Sequence, residues 1–107
     1  MQDKMDKISA LRDILALDPN SSFARYGLAM ELAGKGLTTA AMDEFDTLLA
    51  NNPDYTPAYF MAAQTLAGMG RKEAAIARLQ GGIKSAERSG NRHALNEMQA
   101  MIDDLER

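Results

Sequence analysis

The sequence contains no cysteine, three prolines, a single histidine and no long apolar run. Without cysteine there is no disulfide framework, no thiolate metal site and no cysteine nucleophile, which fits a reducing compartment. The opening stretch, MQDKMDKISALRDILAL, sets Asp3, Asp6 and Asp13 among its apolar positions and so lacks the core of a secretion signal. Nowhere does the chain approach the roughly 18 apolar residues of a membrane span. These absences predict a soluble, cytoplasmic protein with no membrane partner.

What the chain does have is 46% apolar content in 107 residues, enough for one compact domain with its own core. Its net charge of −3 is unevenly spread. Arg71, Lys72, Arg78, Lys84, Arg88 and Arg92 face only Glu73 and Glu87 in that stretch. Such a segment can bind an anionic partner or balance charge within its own fold. Because it carries no aromatic residues for base stacking, nucleic acid is the least favoured partner.

The main signal is a repeat. A shift of 34 residues aligns Pro19 with Pro53, Ala24 with Ala58, Ala29 with Ala63, Leu32 with Leu66 and Ala33 with Ala67. It also aligns Gly34 with Gly68, Gly36 with Gly70, Ala40 with Ala74 and Ala41 with Ala75. A fixed period of this length marks a repeat architecture.

Each copy reads as two helices around a glycine turn. In the first, Ser21 or Ser22 offers an N-cap, Tyr26, Leu28 and Leu32 form an apolar stripe, and Gly34 and Gly36 supply the stop. In the second, Thr56 reads as an N-cap with Pro57 at the first helical position. The following helices place Ala41, Phe45, Leu48 and Leu49, and then Ala75, Ile76, Leu79, Ile83 and Ala86, on one face. Two helices joined by a tight turn form an antiparallel hairpin.

The pattern extends to both ends. Ile8, Leu11 and Leu15 precede Met42, Phe45 and Leu49 by 34, so the leading helix is a second helix without its first. After Gly90, Leu95, Met98, Ile102 and Leu105 form a stripe suited to a capping helix. The expected fold is all-α, with about six helices in stacked antiparallel hairpins. Its expected organisation is one domain over 1–107, with a leading half-repeat 1–18, repeats 19–53 and 54–89, and a capping helix 91–107.

These residues resemble the tetratricopeptide repeat, in which an aromatic, leucine, glycine and tyrosine are followed by alanine, phenylalanine and proline. The first copy supplies Leu28, Leu32, Ala41, Phe45 and Pro53 at matching spacing, and the second Tyr59, Ala63, Leu66, Ala75 and Leu79. Arg25 stands in the place of the first aromatic, Ala29 and Ala63 replace glycine, and Glu87 replaces the closing proline. The last departure predicts a longer second helix running toward Ser89. Gly81 and Gly82 fall inside it, at a cost of about 1 kcal/mol each relative to alanine, and predict either a soft spot or a close helix contact.

The resemblance implies an α-solenoid that binds other polypeptides along the faces of its first helices, without enzymatic activity or a cofactor. Carried over by position, the binding surface comprises Phe23, Tyr26 and Met30, with Phe60, Met61 and Gln64. A lysine, arginine and asparagine clamp for a C-terminal carboxylate is not expected, because these positions supply no convergent cations. An apolar helix or extended segment suits them better, with methionines as adaptable packers. The same residues could instead be plain core, with Tyr26 or Phe60 packed on the leading or the C-terminal helix.

An assembly role is the alternative, through repeat edges or the stripe of Leu95, Met98, Ile102 and Leu105. Candidate catalytic and metal groups are few. His93 and Glu97 lie four apart but are too few for a metal site, and Asp103, Asp104 and Glu106 read as a solvated tail. The GKG and GMG glycines lack the spacing and preceding strand of a phosphate loop.

Overall fold

The computed structural model describes residues 4–107. Six helices make up the described chain: α1 (Lys4–Leu17), α2 (Ser22–Gly34), α3 (Thr38–Asn51), α4 (Thr56–Gly68), α5 (Lys72–Ser89) and α6 (Arg92–Leu105). No strand occurs among the described residues. The contacts divide the chain into two compact units, one ending at Asn52 and the other running from Pro53 to Arg107.

In the first unit α2 packs on both α1 and α3. Ser21 caps α2, its side chain accepting a hydrogen bond from the Ala24 amide. The core is built from Ala24, Leu28, Ala29 and Leu32 on α2 and Ala41, Phe45, Leu48 and Leu49 on α3. The buried alanines Ala24, Ala29 and Ala41 take little volume beside the larger, fully buried Phe45 and Leu48. Of the leading stripe, Ile8 is buried, while Leu11 and Leu15 are half-buried.

The second unit repeats the hairpin and adds a helix. Here α5 packs on both α4 and α6, and α4 also touches α6. At 18 residues, α5 is longer than the 14-residue α3, as the missing proline predicts. Met98 and Ile102 of α6 are buried.

The two repeat turns are alike atom for atom. The Gly36 amide donates to the Ala33 carbonyl and Leu37 to Leu32; the Gly70 amide donates to Ala67 and Arg71 to Leu66. Gly36 and Gly70 hold φ of 79° and 77°, the left-handed region that closes a helix by this double bond. Gly34 and Gly68, which the sequence marks as part of the stop, instead end their helices without a positive φ.

Gly82 answers the question its sequence position raises. A Cβ there would lie 2.6 Å from Tyr59 Cβ and would collide with Met98 Sδ. A close contact of α4, α5 and α6 therefore requires glycine at this point. Gly81 is less confined, its nearest neighbour being the Tyr59 ring edge at 3.1 Å.

Candidate functional site

The first unit presents its candidate residues on α2. Phe23 and Tyr26 are three positions apart and Met30 a further four, so all lie on one stripe. Phe23 is 80% exposed. Tyr26 is half-buried, its ring meeting Phe45 edge-on with centroids 6.4 Å apart and planes at 63°. It thus leans on the second helix of its own hairpin, a partner the sequence did not single out. Met30 is half-buried.

Ionic contacts hold α2 on either side of that stripe. Arg25 Nη1 reaches Glu44 Oε1 at 2.6 Å, and Lys7 Nζ reaches Glu31 Oε2 at 3.3 Å. With Arg25 and Glu44 both largely covered, this pair is better shielded from screening than an exposed one. An orphan arginine in the aromatic's place becomes a bridge between α2 and α3.

In the second unit, Phe60 and Met61 of α4 are half-buried and Gln64 is exposed. Pro57 stands in the first turn, where its missing amide costs nothing. Thr56 is not the cap that the sequence suggests. Tyr55 occupies the cap position without a side-chain bond, and the Thr56 hydroxyl is buried 2.7 Å from Ser85 Oγ on α5. The polar pair joins the two helices of the hairpin inside the core. Nothing in the spacing of 29 residues could have flagged it.

The C-terminal stripe divides by depth. Met98 and Ile102 are taken up by the core of the second unit, whereas Leu95 and Leu105 are half-buried. Of this stripe, only those last two keep apolar surface exposed. Among the described residues, the exposed large apolar side chains lie elsewhere, at Ile14, Leu17, Phe23 and Leu37 in the first unit.

Within the basic stretch, Arg88 is engaged, with Nε 2.8 Å from Asp54 Oδ1 and Nη2 on the same oxygen. That hydrogen bond raises the guanidinium pKa above its ordinary value. His93 Nε2 lies 3.4 Å from Glu97 Oε2, both on the exposed face of α6. Among the described residues no cluster of three or more histidine or acidic groups is placed to hold a metal ion. No described helix is long and apolar enough to cross a membrane.

No protein-family profile matches the chain, and no curated protein matches it significantly. Solved structures do. A tetratricopeptide repeat domain protein from Salinibacter ruber is 29% identical with a TM-score of 0.78, over 83% of this chain and 90% of that one. PcrH, solved in complex with the chaperone binding region of PopD, is 16% identical with a TM-score of 0.87, over 95% of this chain and 77% of that one. The type III secretion translocator chaperone SycD of Yersinia enterocolitica is 15% identical with a TM-score of 0.86, over 96% and 72%. Together with the 34-residue repeat and its paired glycine turns, these likenesses show that the chain has the fold of tetratricopeptide-repeat domains.

Proposed function

We propose that this chain is a protein-interaction module that receives an apolar peptide or helix on the exposed faces of its first helices. Phe23, Tyr26 and Met30 form that face in the first unit, and Phe60, Met61 and Gln64 form it in the second. The observation that carries the reading is Phe23, an aromatic side chain left 80% exposed on a helix whose Leu28 and Leu32 are buried. PcrH, of similar fold, is a neighbour solved with a bound segment of another protein, and this supports the class of activity.

Magnitudes bound the affinity. Burying an apolar anchor contributes about 1.5–3 kcal/mol, while association costs at least about 4 kcal/mol of rigid-body freedom. Two or three such anchors therefore give weak or moderate affinity, and a firm complex needs more buried surface.

Phe23→Ser and Met30→Glu test the first face, and Phe60→Ala the second. Each is expected to weaken capture of a partner at least tenfold while helical content and melting temperature hold. Unchanged capture by all three variants would overturn the assignment.

A second reading, self-assembly through a repeat edge, draws support from Leu17, 90% exposed at the end of α1, and Ile14, 47% exposed one turn earlier. Sedimentation equilibrium over a wide concentration range separates the two. A dimer that dissociates on dilution and is lost in Leu17→Ser supports assembly, and a persistent monomer removes it.

A further inference from the structure

The N-cap positions Ser21, Tyr55 and Asn91 mark three equivalent helix starts, with α6 displaced by 36 residues from α4 instead of 34. The same displacement matches the buried Ala62 and Leu66 of α4 to the buried Met98 and Ile102 of α6. By this register α6 is a third first helix. The outward positions held by Phe60 and Met61 on α4 then fall on Asn96 and Glu97 on α6, both exposed.

Gly82 is what brings the two helices together, since Tyr59 of α4 and Met98 of α6 both close on it. The second unit therefore offers an apolar strip beside a polar, anionic one. An apolar segment crossing from α4 would meet a carboxylate it cannot pair, whereas a cation there would find one. Glu97 has a side-chain exposure of 56%, and its one neighbouring base, His93, is still more exposed. Neither residue is locked away from a ligand.

We infer that the second unit selects a segment whose apolar anchor, seated on Phe60 and Met61, lies near a lysine or arginine that pairs with Glu97. Packed helices lie about 8–10 Å apart, and extended chain advances about 3.3 Å per residue. The anchor and the cation are thus about three residues apart. This inference rests on the first-helix binding reading and adds the partner's charge to it.

The probes are two fluorescein-labelled peptides, Leu-Phe-Ser-Ser-Lys-Lys and Leu-Phe-Ser-Ser-Glu-Glu, titrated by anisotropy into the full chain at low salt. An exposed ion pair is worth about 0.2–1 kcal/mol, so the lysine peptide is expected to bind about threefold tighter. Glu97→Lys should reverse the order, while Glu73→Lys, the same charge change at an exposed site on α5, should leave it standing. Equal loss of preference in both variants would mean a general field effect and overturn the inference. Equal binding of both peptides, abolished by Phe60→Ala, would overturn the charge selection and leave the apolar site intact. If neither peptide bound, the apolar site would fall with it.

Discussion

Arg25 and Tyr59, 34 residues apart, make the same hydrogen bond with different chemistry. Arg25 Nη2 donates to the Pro19 carbonyl at 2.8 Å, and the Tyr59 hydroxyl donates to the Pro53 carbonyl at 2.7 Å. The two prolines are themselves repeat equivalents, each in the loop that enters a hairpin. What the copies share at this position is a donor that reaches back six residues and ties the loop to the first helix.

Tyr59→Phe should therefore loosen the entry to α4 at small cost. A neutral hydrogen bond contributes about 0.5–1.5 kcal/mol, and the exposure of this one places it toward the lower end. Arg25→Met should cost more, because it also strands Glu44 without its partner. Urea denaturation of both variants checks the order, and amide exchange at Asp54 and Tyr55 checks the location.

Adjacent glycines in α5 should respond in opposite ways to alanine. Gly82→Ala forces a methyl against Tyr59 Cβ, close to the α4 backbone, so overpacking of about 1–3 kcal/mol outweighs the helix-propensity gain of about 1 kcal/mol. Gly81→Ala meets only a ring edge that can give by a few tenths of an ångström, so it should be neutral or stabilising. Thermal melts of the two variants decide it, with a fall for the first and none for the second.

The buried hydroxyl pair of Thr56 and Ser85 predicts a non-additive cycle. Ser85→Ala strips the Thr56 hydroxyl of its short partner, leaving only a 3.4 Å contact with the Asp54 carbonyl, and should cost about 1–3 kcal/mol. Thr56→Val with Ser85→Ala removes both polar groups and should recover much of that loss. Additive single effects in urea denaturation would show that the pair contributes nothing as a pair.

Much of the fold is legible in the sequence because its causes are local. A left-handed φ at Gly36 and Gly70 needs glycine, and the two copies print it at the same place. The apolar stripes on α2, α3 and α5 follow helical spacing. Contacts made far along the chain left no such mark. Thr56 looks like a cap until Ser85 is seen beside it, and Gly82 looks like a defect until Tyr59 and Met98 close over it. Arg25 reads as a departure from the family pattern, yet it takes over the donor's work and adds a bridge to Glu44. Of the candidate site, the stripes were readable, but the exposure of Phe23 and the loss of Met98 and Ile102 to the core depend on packing that spacing alone does not fix.

The most direct test of the interaction role is site-specific photocrosslinking in the cells that make the protein, with benzoylphenylalanine at position 23 or 64 on the first helices and at position 47 or 80 on the second. All four positions are exposed. Crosslinks to one discrete polypeptide from 23 and 64, with none from 47 and 80, are the predicted result. The same product from 47 and 80, with silence at 23 and 64, would contradict the account and move the binding surface to the second helices.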